Sequence, residues 1–587
     1  MSAASPRRLG FRLALGAVIA SYLALVLPTL DRLGIEWDEQ TDIAVARAYV
    51  SEPGGWLIGL DADAINVRLP MASSAMIFAV LGEPSLRAAR LFSVVLGVFT
   101  LVAVATFGRR ELDHRKGLLA AAVLATSPYF LAYTKLAFSA GDAFVTCGLG
   151  WLLVCLARLR RRRNVGWCAL TGVALGAALA SKISATAAIP VVMITLLLPA
   201  KDEPKPAVGP PLRRRNTLTA LLVAGFFAVA AGWQLGSSVG GGDYREAGLL
   251  FLVLHAAAVA VLWLGVLAVA WAERRAPLDR WHQCLFVLAL AGLTFFVLPP
   301  VHTTNPDIFR ELVGVFFFGN FESPLSFALE AAFQNAAVIA LKPSPVIGLG
   351  CWLAVGVAAF RVRARPELRL PLVFVVCYLL FVIRLPWAQT FYMLPAFPAM
   401  AILLADFSVE LFDRRRAAAL GLAAVAAAVL ASDLWRSYPD PHLNGYQWLG
   451  ARPFGGRPSI GPRSLVQLPT DGVSQALRWL DDRAGPGDTV VLFVRPLHIA
   501  SAILEDAPYR LVNGIASPTA IERADWVVTT LASEIRPGFG TDDPAEVFAV
   551  PYDAERLRAG FSRVYGVERA FDLEVAAVWR RNPPTIP

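Results

Sequence analysis

The stretch Gly34-Ile35-Glu36-Trp37-Asp38-Glu39-Gln40 sets several carboxylates just past the first long apolar run of the chain. Ionisable groups beside a bilayer are costly to keep charged unless something uses or pairs them, so they mark a candidate site. A partly desolvated carboxylate within hydrogen-bond reach of an acceptor hydroxyl can remove its proton, which makes Asp38 and Glu39 the first catalytic candidates. The alternative is helix capping, since Asp38 lies just before TDIAVARAYV and could accept backbone amide bonds there. Asp142, in SPYFLAYTKLAFSAGDAFVTCG, is either the N-cap of the next apolar run or a second acidic site residue. Lys182 interrupts ALASKISATAAIP and either snorkels or, with Lys135, offers positive charge to an anionic lipid headgroup. Arg384, in VIRLPWAQTFYMLPAFPAMAILLA, can grip phosphate oxygens in bidentate fashion. Trp387, Gln389 and Tyr392 share that turn, where aromatics also serve as ordinary interface anchors. His302, Arg310 and Glu311 are further polar candidates in a loop that also carries Phe316-Phe317-Phe318.

The elements that must position these residues are membrane helices. The chain has 587 residues, 56% of them hydrophobic and 17% charged, with a mean hydropathy of +0.55. It is too apolar for an ordinary soluble enzyme and reads as a polytopic membrane protein. Apolar runs of roughly 17 to 25 residues predict about thirteen spans. They lie near 11–30, 87–107, 117–134, 142–157, 166–181, 184–199, 217–235, 248–271, 283–299, 335–360, 370–384, 390–405 and 417–432.

Arginine and lysine clusters fall in alternate loops on the side of Arg7 and Arg8, at 109–116, 158–163, 201–215, 274–280, 361–369 and 414–416. The positive-inside rule makes that side cytoplasmic and explains the net charge of +9 by topology, so nucleic acid is not an expected partner. With an odd number of spans, residues 31–86, 236–247, 300–334 and the tail from Asp433 emerge outside. Within the first of these loops, Thr41–Val50 carries apolar residues at helical spacing and should lie on the membrane surface.

Composition changes after Trp435. A Pro- and Gly-containing linker over 433–469 leads to 470–587, where Gly472–Asp482 predicts a helix and Thr489–Arg495 and Asp525–Thr530 predict buried strands of an extracytoplasmic α/β domain. The six cysteines lie in or beside apolar runs and the six histidines are scattered, so no disulfide framework or dedicated zinc site is expected. Two acidic residues could in principle hold a divalent cation.

Taken together, WDE in the first outer loop, SPYFLAYTKLAFSAGDA, SKISATAAIP and TFYMLPAFPAMAILLA resemble the GT-C superfamily of membrane glycosyltransferases. The nearest branch is that of protein O-mannosyltransferases and the aminoarabinose transferase of lipid A. The resemblance covers most of residues 11–432, and each motif is short; the specificity lies in their order and common side. It implies a GT-C domain over 1–432 in the inner membrane, a sugar donor carried on a polyprenyl phosphate, and transfer to a lipid, glycan or protein acceptor on the extracytoplasmic face. By motif match Asp38 is the base, Glu39 its neighbour and Asp142 the second acidic residue. Lys182 is the donor-phosphate contact, with Arg384, Lys135 and Tyr392 as the remaining donor-side candidates. This chain has SKIS where relatives often have lysine followed by glycine, and GD where many have Arg or Thr before the Asp.

Phosphate is a stable anion as it departs, so one base and a few cations suffice for such a transfer, and a single displacement inverts the anomeric centre. The competing classes are a lipid or glycolipid flippase and a scaffold displaying the outer domain. Flippases usually place ionisable residues near the midplane, whereas here they collect at one face.

Overall fold

The computed structural model describes residues 6–32, 39, 42–43, 46, 69–137, 142–162, 164–198, 280–297, 325–383, 390–441, 444, 472–493, 508–514, 518–530, 554–569 and 573–583. The expected spans at 217–235 and 248–271, most of the helix at 41–50, and residues 300–324 of the expected outer loop at 300–334 lie outside these residues; 325–334 belong to a helix.

Among the described residues, five helices are long and apolar enough to cross a membrane: Leu9–Thr29, Leu86–Leu112, Ala143–Arg162, Phe391–Arg414 and Arg416–Ser437. Shorter apolar helices at Val165–Ser181, Ser184–Leu197 and Pro345–Arg361 complete a helical bundle with the helix Arg280–Val297. Helix starts follow local chemistry. Ser85 accepts the Ala88 amide at 3.3 Å, and Asn164 accepts the Trp167 amide at 3.0 Å, each filling a backbone bond that the first helical turn lacks. Close packing sets the positions further along. A Cβ on Gly176 would lie 2.5 Å from the Ala291 carbonyl oxygen, so only glycine lets Val165–Ser181 approach Arg280–Val297 this closely.

Two expected spans are broken, in each case at proline. The run at 117–134 divides into His114–Thr126 and Pro128–Tyr133, with Ser127 extended and Pro128 starting the second helix. The run at 335–360 is a helical hairpin rather than one span: Leu325–Leu341 turns back through Lys342-Pro343-Ser344 into Pro345–Arg361. Proline cannot supply the amide that would continue the first helix, and Ser344 takes a φ of +88° at the reversal. The Trp352 indole then donates to the Ala336 carbonyl at 3.1 Å across the hairpin. The hydrophobic count recorded the apolar length but not the reversal inside it.

The bundle has two chemically different ends. One end carries Lys116, Arg361, Arg365 and Arg414, tied to Asp406 and Glu410 of the helix Phe397–Arg414. The other carries Thr29, Lys135, Asp142 and Lys182.

Residues 489–581 contain a five-stranded sheet of order β2-β1-β3-β5-β4. β1 (Thr489–Leu492) pairs in parallel with β2 (Arg510–Asn513) and β3 (Trp526–Thr530), while β5 (Leu573–Arg581) runs antiparallel to β3 and β4 (Phe561–Arg569). Val490 and Leu492 pack on one face with Leu477 and Leu480 of the helix Val473–Asp481; Val491 and Phe493 pack on the other with Ile521 and Leu557. Burial on both faces is why TVVL is apolar without alternation. This region touches the start of the first loop: Gln475 and Arg569 both donate to the Arg32 carbonyl, at 3.1 and 3.2 Å. The Arg32 guanidinium in turn donates to Asp440 at 3.2 Å.

Candidate functional site

Glu39 is held deep in the protein. Its carboxylate receives two bonds from the Arg90 guanidinium, at 2.9 and 2.5 Å, and one from the Ala137 amide at 2.7 Å. Arg90 also donates to the Leu30 carbonyl at 2.6 Å. The side chains are 3% and 0% exposed, so this bidentate pair is sealed from water and fixes one residue of the first loop against two other segments. Lys135 supports the same junction by donating to the Thr29 hydroxyl at 3.0 Å and its carbonyl at 3.3 Å.

Asp142 and Lys182 form a second pair. Asp142 precedes the helix Ala143–Arg162, where its carbonyl accepts the Thr146 amide at 2.9 Å. Its φ of +57° lies in the left-handed region, which aspartate tolerates better than most residues but which still costs about 1 kcal/mol. Lys182 ends the helix Val165–Ser181 in an extended conformation. That exit brings its ammonium to the Asp142 carboxylate at 2.5 Å, with side-chain exposures of 11% and 0%.

An aromatic wall encloses this pair. The Lys182 ammonium lies 4.4 Å from the Phe391 ring centre and 5.4 Å from that of Tyr392, within cation–π range. Tyr133 contacts Phe391, and Tyr129 joins Tyr133 to Phe397 through edge-on contacts. The wall exists because Thr390–Ala396 forms a short 3-10 turn before Phe397–Arg414, presenting Phe391 and Tyr392 toward the end of the helix that carries Lys182.

Of the residues singled out from sequence, the structure brings Asp142, Lys182 and Tyr392 together, and sets Glu39 and Lys135 in the neighbouring junction. Asp38, Arg384, His302 and Arg310 lie outside the described residues. Sequence reasoning missed Arg90. Its signal was an arginine at the start of the span near 87–107, opposite in side to the arginine clusters that set the topology.

Residues 70–210 match the sequence model of the dolichyl-phosphate-mannose-protein mannosyltransferase family. No protein of curated function matches significantly. In fold the chain is similar to ArnT from Cupriavidus metallidurans bound to undecaprenyl phosphate, at 14% identity and a TM-score of 0.50 over 98% of both chains. Another similar structure is the archaeal oligosaccharyltransferase AglB from Archaeoglobus fulgidus in complex with an inhibitory peptide and a dolichol-phosphate. It shows 12% identity and a TM-score of 0.45, covering 100% of this chain and 75% of that one. The sequence match over 70–210 and the fold similarity both fall on proteins of the kind that the order of the motifs resembles.

The archaeal oligosaccharyltransferase is also known in complex with Zn and sulfate. Here, no three His, Cys, Asp or Glu side chains converge among the described residues, and the carboxylates of Glu39 and Asp142 each lie against a cation.

Proposed function

We propose that this chain moves a sugar from a polyprenyl-phosphate donor to an acceptor hydroxyl at the extracytoplasmic face of the inner membrane, with inversion. The observation that supports it most is the Asp142–Lys182 pair inside its aromatic wall, at the end of the bundle opposite the arginines. The positive-inside rule assigns the arginine end to the cytoplasm, which turns the site, and the sheet-containing region that touches Arg32, outward.

In this reading Asp38 is the base. It adjoins Glu39 in the chain, and Glu39 is immobilised by Arg90 and the Ala137 amide, so the loop that carries the base is anchored beside it. Asp38 takes the acceptor's hydroxyl proton while the acceptor oxygen forms its bond to the anomeric carbon. The bond from that carbon to the phosphate oxygen breaks on the opposite side, and its electron pair leaves with the phosphate. Lys182 and Arg384 stabilise the charge that builds there. An ammonium has three N–H donors, so Lys182 can hold Asp142 and a phosphate oxygen at once. Lys135 keeps Thr29, and so the start of the loop, in place. Tyr392 stands beside the Lys182 ammonium. Lipid headgroups, glycans and protein hydroxyls are all chemically suitable acceptors.

The test is sugar release from purified polyprenyl-phosphate donors by the full chain in lipid nanodiscs. Transfer abolished by Asp38→Asn with the fold retained supports the reading. Donor movement across the bilayer without cleavage of the glycosyl bond would replace it with a flippase.

A further inference from the structure

Two hydroxyls beside the Asp142–Lys182 pair take no part in the chemistry above. Tyr378, near the end of the helix Arg369–Val382, is completely buried, and Ser184, two residues after Lys182, is buried in the turn Ile183–Ala187. The turn and the helix pack together, which makes the two side chains neighbours. The two hydroxyls are within hydrogen-bonding reach of each other, off the geometry of a good bond, and neither has another partner among the described residues. Tyr378 is aimed by its ring, which stacks on Phe374 with centres 6.0 Å apart and planes 17° apart. Its hydroxyl lies within electrostatic reach of Asp142 and Tyr392.

Buried polar atoms are almost always satisfied, so two adjacent ones left poorly satisfied at the edge of a site call for an explanation. We infer that Tyr378 and Ser184 bind ring hydroxyls of the donor's sugar, an inference that rests on the transferase reading. The local charge selects sugar over phosphate. An anionic oxygen placed beside Tyr378 would meet the Asp142 carboxylate. A sugar hydroxyl is neutral and both donates and accepts, as the Tyr and Ser hydroxyls do. The pair thus acts as a specificity element for the sugar, separate from the cations that hold its carrier.

Tyr378→Phe and Ser184→Ala each delete one oxygen from a packed site. Both variants, their combination and the wild type are compared on whichever of undecaprenyl-phosphate mannose, glucose, galactose or aminoarabinose the wild type consumes. Binding of bare undecaprenyl phosphate and thermal unfolding are measured alongside. The expected result is a fall of about tenfold in kcat/KM for each variant, with affinity for the bare carrier and unfolding temperature essentially unchanged. Unchanged kcat/KM overturns the assignment, and so does an equal loss of affinity for the bare carrier, which would put the hydroxyls on the phosphate. A wild type that consumes none of the four donors while the bare carrier binds counts against the transferase reading itself, and the sugar assignment falls with it.

Discussion

The two ends of the helical bundle hold their charges in opposite ways. At the arginine end, Asp406 is shared by Lys116 and Arg365, at 2.6 and 2.7 Å, and Glu410 is shared by Arg361, Arg365 and Arg414. Several of these cations remain partly open to water. At the site end, Glu39 faces Arg90 and Asp142 faces Lys182, and both pairs are nearly sealed. A shared network keeps its geometry when one member is lost. A sealed pair does not, because removal of one partner leaves an uncompensated charge in a low dielectric. The first arrangement retains helices at a membrane surface, whereas the second fixes individual side chains in place.

That contrast can be broken by substitution. Arg90→Ala carries the largest expected effect: it strands Glu39 and should cost about 3–5 kcal/mol in unfolding free energy, measured by denaturant melts in detergent. Adding Glu39→Gln should recover a large part of that loss. A cost below about 1 kcal/mol would place Arg90 with the surface pairs and erase the distinction.

Lys182→Ala comes next: it strands the sealed Asp142 carboxylate, so it should cost stability and, in the protein that still folds, turnover as well. Transfer should fall about 100- to 1,000-fold, with Lys182→Arg retaining part of the activity because the positive charge persists. Loss of fold without that loss of turnover would assign Lys182 to structure. The smallest effect is expected at the other end. Arg361→Ala leaves Glu410 with Arg365 and Arg414, so stability should drop by no more than about 1 kcal/mol and transfer should stay at the wild-type rate.

These differences also explain what could be read in the sequence. Long apolar runs and their flanking arginines disclose the spans and their two ends, because hydropathy and loop charge are local properties. Asp142, Lys182 and Tyr392 were legible as charged or amphipathic residues interrupting apolar runs at one common level, and they do converge. Arg90 was not, because its role depends on Glu39, 51 positions earlier, and on the Leu30 carbonyl and Ala137 amide. No periodicity encodes that meeting. The hairpin at Lys342–Ser344 was missed for the opposite reason: a hydropathy window averages over three residues, while one proline and one positive φ decide the chain direction. Ser184 and Tyr378 look unremarkable in SKIS and VVCYLL, where a serine usually bonds back to its own helix and a tyrosine passes for one more large apolar ring. Only the packing of the turn on the helix exposes their shared need for a partner.

The proposed transfer needs a base from the acidic first loop. The direct measurement is single-turnover release of sugar from a radiolabelled polyprenyl-phosphate donor by wild type and Asp38→Asn in nanodiscs, with donor binding monitored in parallel. Asp38→Asn should bind the donor as tightly as the wild type while its transfer rate falls about 100-fold or more. A variant that transfers sugar at the wild-type rate contradicts it.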